Sequence, residues 1–252
     1  HVAARELAED AIRRSPISPQ GLRALGVVES APGGSAERAL AIMTEAQRLS
    51  RRELQTQIWW IESFLRAGDL PAVMRQFDVA LRSASGGRDT LFSLLATAAA
   101  DPRLAEPLKE RMLSDPHWAR PFMEHMIDSG LNPVRTVYFA QGFLDASKPD
   151  DLQMLDTLVQ NLGALREYDL AWQVFTGFGL RARSRNGGVA LLVDGGFETS
   201  SDHEPFAWVL SEEGDLWAAR QQAPKGREGQ VLGLVAHSGR SGEVARQLVR
   251  PG

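Results

Sequence analysis

Small and large apolar residues recur in the first part of the chain at a fixed interval. In each set a small residue is followed four positions later by a large one and three positions after that by a small one. The sets are Ala39, Met43 and Ala46, and, 34 positions later, Val73, Phe77 and Ala80. Steps of three and four place side chains on one helical face, and a period of about 34 residues is typical of stacked helical hairpins. The pattern predicts two consecutive antiparallel hairpins over residues 18–83, with Ala39 and Ala46 buried.

Helical periodicity continues to about residue 180. A partial earlier unit shows Ala4, Ala8 and Ala11, a later unit shows Ala171, Phe175 and Phe178, and Leu155, Leu158, Val159 and Leu162 form an i, i+3, i+4, i+7 stripe. Between Gly86 and Asp150 the spacing fails, and proline-containing breaks separate four shorter predicted helices at 90–100, 104–113, 117–129 and 133–146. This stretch is either a set of degenerate repeats or an inserted helical hairpin.

The character of the sequence changes after Phe178. Residues 181–188 are polar and contain glycine, which indicates a linker. Short runs of β-favouring residues follow at 189–193, 205–210, 216–221, 230–236 and 243–249. The sequence therefore predicts an α+β multidomain protein, with a helical repeat domain at 1–180, a linker at 181–188 and an all-β domain at 189–252.

Two groups of residues carry a resemblance to known families. The small and large pattern, together with Leu22, Leu25 and Gly26 in a first helix, resembles tetratricopeptide-repeat (TPR) proteins over residues 1–180. Asp194-Gly-Gly-Phe-Glu198 followed by Pro205-Phe-Ala-Trp208 resembles the opening of jelly-roll domains of the carbohydrate-binding-module type. The combination is similar to bacterial, alphaproteobacterial-type TPR proteins associated with the cell envelope and exopolysaccharide systems.

The resemblance implies a TPR-like solenoid of helical hairpins followed by a jelly-roll-like domain. A jelly roll uses about eight strands, and the chain supplies five β-favouring runs, so the β-domain is expected to be incomplete. A periplasmic or cell-envelope setting is favoured, with the cytoplasm as the alternative.

Composition and motifs narrow the function. The chain has 252 residues with 28 Lys and Arg against 32 Asp and Glu, which gives no basic surface of the kind that nucleic acid demands. Cysteine is absent, and no apolar run of about 18 residues is present to cross a bilayer. Neither His-Glu-x-x-His nor Gly-x-Ser-x-Gly occurs. We therefore expect a non-enzymatic protein without a membrane-spanning segment in this chain.

Helical repeats act by presenting a surface to a protein or peptide. The candidate partner-binding residues lie on one predicted helix: Gln57, Trp59, Trp60, Glu62 and Arg66. Adjacent tryptophans point about 100° apart on a helix, so core packing is the alternative for each. The predicted function is a protein–protein interaction scaffold or adaptor, and the alternative is a glycan-binding protein that uses its jelly-roll domain.

The β-domain carries the residues for that alternative. Trp208 and Trp217 could stack on a sugar ring, although aromatic side chains of a half-buried sheet more commonly pack inward. The resemblance also suggests that Asp194 and Glu198 help to bind a structural calcium ion. Two carboxylates fall short of the roughly six to eight oxygens that Ca²⁺ requires, and no other cofactor is expected.

Overall fold

The computed structural model describes residues 2–83, 86–180, 194–197, 205–211, 214–237 and 239–249. The described residues are mostly helical, with a few short antiparallel strands that follow the helices. The chain divides into two compact units, His1–His125 and Met126–Gly252.

The first unit is built from helices joined by short connections. Its helices are α1 (Val2–Arg14), α2 (Pro19–Ser30), α3 (Ala36–Leu49), α4 (Leu54–Ala67), α5 (Leu70–Ser83), α6 (Arg88–Ala98) and α7 (Pro102–Leu113), and α8 (Ala119–Ser129) spans the boundary between the units. Side chains cap several helices: Ser18, Ser35 and Glu53 each accept a hydrogen bond from a backbone N–H in the first turn of α2, α3 and α4. Gly68 ends α4 in the left-handed conformation, with φ at 72°, and so turns the chain directly into α5.

The predicted hairpins over residues 18–83 are present. Helix α2 packs against α3, and α4 packs against α5. Ala39 and Ala46 are 1% and 0% exposed, which confirms their predicted burial. The other large and small members of the two sets, Met43, Val73, Phe77 and Ala80, are buried as well. The small residues let neighbouring helices approach closely while the large ones fill the space between them.

Two helical predictions need correction. Of the small residues in the partial earlier unit only Ala8 is buried, and Ala4 and Ala11 are exposed. The predicted helix at 133–146 is too long: α9 ends at Phe143, and its backbone already departs from helical values at Gln141, with ψ at 100°, and at Gly142, with φ at 104°.

The second unit combines three helices with short strands. The helices are α9 (Pro133–Phe143), α10 (Pro149–Ala164) and α11 (Tyr168–Gly177), and the strands are β1 (Val209–Leu210), β2 (Leu216–Gln222), β3 (Gln230–Ala236) and β4 (Ala245–Arg246). Strand β2 pairs antiparallel with β3 over their whole length, from Leu216 opposite Ala236 to Gln222 opposite Gln230. Strand β1 pairs antiparallel with β4 over two residues.

Aromatic residues attach the chain around residue 206 to the helices of this unit. Phe206 is 1% exposed, and its ring centroid lies 5.0 Å from that of Phe175 and 5.2 Å from that of Trp172 on α11. Next to it, Pro205 approaches α10 so closely that a Cβ on Gly163 would lie 2.9 Å from the Pro205 Cγ. The stripe of Leu155, Leu158, Val159 and Leu162 on α10 is buried, as its periodicity predicts.

Strands β2 and β3 occupy the predicted runs at 216–221 and 230–236, whereas β1 and β4 are shorter than the sequence suggests. The runs at 205–210 and 243–249 form strands only at Val209–Leu210 and Ala245–Arg246, because Phe206 turns into the helical core and the rest of each run has no ladder partner among the described residues. The run at 189–193 lies outside the described residues. After residue 188 the described residues contain no helix. No described helix is long and apolar enough to span a membrane.

Candidate partner-binding surface

Helix α4 has one exposed and one buried face. Gln55, Trp59, Glu62 and Arg66 follow one another at steps of four, three and four, which places them on the same side of the helix. Gln55, Glu62 and Arg66 are exposed, and Trp59 is half-buried. The opposite face buries Thr56, Gln57, Trp60 and Ile61. Three of the five predicted partner-binding residues therefore share an exposed face, and two do not.

Gln57 and Trp60 belong to the interior. Gln57 is 1% exposed, and its amide oxygen accepts a hydrogen bond from the Gln76 amide of α5, so it joins two helices instead of facing a partner. Trp60 is 8% exposed and stacks on Phe64, with ring centroids 5.3 Å apart and an interplanar angle of 29°. Trp60 shares the buried face of α4 with Gln57, which contacts α5. The core-packing alternative therefore applies to Trp60.

Helix α2 lies beside α4 and contributes a second exposed face. The Trp59 Nε1 donates to the Ser30 Oγ at 3.0 Å, and the Arg23 Nε lies 3.2 Å from the Glu53 Oε1. Arg23, early in α2, contacts Glu53 just before α4. Ser30, at the end of α2, contacts Trp59 in the middle of α4. The two helices therefore run side by side in the same direction.

We name the combined face the α2–α4 surface. It consists of Gln20, Arg23, Val27 and Ser30 of α2 and of Gln55, Trp59, Glu62 and Arg66 of α4. Each set of four has the three- and four-residue spacing of one helical face. The Ser30 hydroxyl also donates to the Gly26 carbonyl at 2.7 Å, so the contact that holds the Trp59 indole is itself fixed to α2.

The α2–α4 surface contains both exposed apolar groups and charged side chains that have no ion-pair partner among the described residues. Val27 is 47% exposed, and Trp59 presents part of its indole to solvent. Glu62 and Arg66 are exposed, and neither forms an ion pair with any residue that the structure describes. Aromatic and arginine side chains are the residues that most often dominate the binding energy of protein interfaces. The α2–α4 surface therefore offers aromatic, aliphatic and charged groups for contact.

The two tryptophans of the β-region have different surroundings. The Trp208 Nε1 donates to the Asp194 carbonyl at 3.0 Å, and the Trp208 ring centroid lies 5.0 Å from that of Phe197. The same carbonyl accepts from the Phe197 backbone N–H at 3.0 Å, which closes a tight turn. Trp217 is half-buried on β2, opposite Val235. The rings of these two described tryptophans do not contact each other.

The calcium prediction rests on residues that the structure covers only in part. Asp194 uses its carbonyl in the turn, and Glu198 lies outside the described residues. Within the described ranges, no group of three or more His, Asp or Glu residues is placed to hold a metal ion. One carboxylate alone does not make a site for Ca²⁺.

Sequence reasoning missed the contribution of α2. Arg23, Val27 and Ser30 belong to this surface because side-chain contacts bring α2 beside α4, which single-helix periodicity does not report. A signal was present in the sequence, since Ser30 and Trp59 are 29 residues apart, close to one repeat length.

Comparisons of the chain with protein-family models, with curated proteins and with solved structures yield no match.

Proposed function

We propose that this chain is a non-enzymatic adaptor that binds a segment of another protein on the α2–α4 surface. The observation that carries the proposal is that Trp59 is fixed to Ser30 across two parallel helices while Val27, Glu62 and Arg66 stay exposed beside it. Because Ser30 already holds the Trp59 indole in place, a partner segment would bind without the cost of ordering this side chain.

The proposal includes a TPR-like solenoid for the helical part, and recurring contacts favour such an architecture. Side-chain hydrogen bonds join residues that are 29 to 34 positions apart, which is close to one repeat length. The pairs are Ser30 with Trp59, Gln47 with Gln76, Arg51 with Ser83, Asp78 with Arg111 and, in the second unit, Ile127 with Asn161. Consecutive repeats in a solenoid contact only their neighbours, and contacts at this separation are what such stacking produces.

The same spacing bears on the stretch between Gly86 and Asp150, where the consensus pattern fails. The Ser93 Oγ lies 3.3 Å from the His125 Nε2, at a separation of 32 residues. Asp78 and Arg111 are 33 residues apart. We therefore favour degenerate repeats over an inserted hairpin for this stretch.

The adaptor proposal is tested by affinity purification from native membranes with three forms of the protein. They are the wild type, Glu62→Lys, and the matched control Glu37→Lys, which makes the same charge change at an exposed position on α3. We expect a protein partner in stoichiometric amount with the wild type and the control, and at least about a fivefold loss with Glu62→Lys. Equal recovery with all three forms would place the partner elsewhere, and recovery of polysaccharide without a protein would contradict the adaptor.

Glycan binding by the β-region is the second candidate, and the partial exposure of Trp217 on β2 is what favours it. Trp208 is less suited, because its indole N–H is used within the protein. The test is retention on immobilised polysaccharide of the wild type and of Trp217→Ala. Retention that Trp217→Ala abolishes would support the glycan-binding function.

A further inference from the structure

Two loops of the first unit meet at one edge of the helical stack. The loop between α3 and α4 contains Arg51 and Arg52, and the connection between α5 and α6 leads into Arg88. The Ser83 hydroxyl at the end of α5 donates to the Arg51 carbonyl at 2.7 Å. Beyond it, Gly87 lies so close to the Leu54 side chain that a Cβ at this glycine would collide with it. We call this region the arginine edge and define it as Arg51, Arg52 and Arg88.

The three arginines of this edge are exposed. None of them forms an ion pair with a residue that the structure describes. Neighbouring arginines differ in this respect: Arg48 pairs with Glu45 at 2.7 Å, and Arg82 pairs with Asp78 at 2.9 Å.

Two acidic residues, Glu53 and Asp89, adjoin the arginines of the edge in the sequence. The Glu53 side chain is 11% exposed, pairs with Arg23 and caps α4, so it does not neutralise the loop that precedes it. Asp89, exposed beside Arg88, offsets one of the three positive charges. A local excess of positive charge therefore remains on a chain whose formal net charge is -4.

We propose that the arginine edge docks an acidic peptide segment of the protein partner. The inference rests on the proposed adaptor function and names the chemistry of the partner. Guanidinium groups pair with carboxylates through two parallel hydrogen bonds, so exposed arginines without partners suit aspartate and glutamate side chains. The edge adjoins the start of α4, so one partner segment could contact both the edge and the α2–α4 surface.

Other anionic partners fit this edge less well. Anionic membranes are recruited by clusters of roughly four to eight basic residues, and the arginine edge has three. Nucleic acid requires a broad basic surface, which a chain with more acidic than basic residues does not offer.

The test measures binding of a fluorescein-labelled octaglutamate peptide by fluorescence anisotropy, with octalysine as the control peptide. The variant Arg51→Glu/Arg52→Glu reverses two charges of the edge. The matched control Arg13→Glu/Arg14→Glu makes the same change at two adjacent exposed arginines of α1 that share Asp10. Thermal unfolding of each variant establishes that it is folded.

We expect octaglutamate to bind the wild type, and the edge variant to bind on the order of tenfold more weakly. The control variant should stay within about twofold, and added salt should weaken wild-type binding because the charges are exposed. An equal loss in both variants, or no loss in either, overturns the proposal. So does edge-dependent binding to phosphatidylserine vesicles without binding to octaglutamate.

The affinity purification with native membranes separates this inference from the adaptor function. If Glu62→Lys loses the protein partner while Arg51→Glu/Arg52→Glu retains it, the adaptor stands and docking at the arginine edge is refuted. Loss of the partner with both variants supports both proposals.

Discussion

Asp78 joins three elements of the first unit, and its removal should destabilise that unit measurably. From α5, its Oδ1 accepts from the Arg111 Nη2 at 2.9 Å and from the Trp118 Nε1 at 3.0 Å, and its Oδ2 lies 2.9 Å from the Arg82 Nε. Arg111 belongs to α7, and Trp118 precedes α8. A single carboxylate thus connects α5 to the two helical segments that follow α6.

The magnitude follows from what Asp78→Ala would leave behind. Trp118 is 1% exposed, so its indole N–H would be buried without its partner, at a cost of about 1–3 kcal/mol. The Arg82 and Arg111 side chains are 51% and 36% exposed and can turn to water, so each lost pair costs about 0.2–1 kcal/mol. We expect the free energy of unfolding to fall by about 2–4 kcal/mol in total.

Urea denaturation at pH 7, followed by circular dichroism, measures this change. The matched control is Asp10→Ala, because Asp10 also contacts two arginines, Arg13 and Arg14, but on the exposed side of α1. The control should lose less than about 1 kcal/mol. If both variants lose the same stability, Asp78 does not connect the helices in the way described.

The carboxyl of Asp78 also predicts a pH dependence. Burial raises the pKa of Asp78, but hydrogen bonds from Trp118, Arg111 and Arg82 together lower it by more than burial raises it. The pKa of Asp78 therefore lies below its ordinary value. A carboxyl with a lowered folded-state pKa stabilises the fold fully above its unfolded pKa of about 3.9 and loses this contribution as pH falls through the folded value. Acid titration should therefore show a loss of stability below about pH 4 that is smaller in Asp78→Ala.

Three further substitutions test the packing. Ala46→Leu should cost about 1–3 kcal/mol in urea denaturation because Ala46 is 0% exposed, whereas Thr44→Leu on the exposed side of α3 should change stability by less than about 0.5 kcal/mol. Gly163→Ala should displace Pro205, because the new Cβ would collide with the proline ring. The Leu248 backbone N–H donates to the Pro205 carbonyl, so faster amide exchange at Leu248 would report this displacement. Trp208→Phe should cost about 0.5–1.5 kcal/mol by removing the hydrogen bond to the Asp194 carbonyl, and unchanged stability would contradict the structural role of this indole.

The helical part of the fold was predictable where packing repeats. Ala39 and Ala46 are small because neighbouring helices approach at those positions, and that requirement leaves a mark in the sequence at a fixed period. Helix ends were predicted less well. The end of α9 depends on the backbone at Gln141 and Gly142, and glycine permits a positive φ without requiring it.

The candidate site was predictable only in part. Periodicity shows that Trp59 and Trp60 point in different directions, but it does not say which one faces the core. That choice is made by α5, which packs on the Trp60 side of α4, and by Ser30 of α2, which holds the Trp59 indole. The arginine edge could not be predicted, because it forms where the Ser83 hydroxyl at the end of α5 contacts the Arg51 carbonyl, 32 residues earlier in the chain.

The central claim is that the α2–α4 surface binds a protein, and site-specific photo-crosslinking tests it most directly. A photoreactive amino acid is placed at Glu62 on this surface and, as the control, at Glu37 on α3; both positions are exposed. After irradiation in the native cell, we expect one protein adduct from position 62 and none from position 37. No adduct at position 62, or the same adducts at both positions, would contradict the claim.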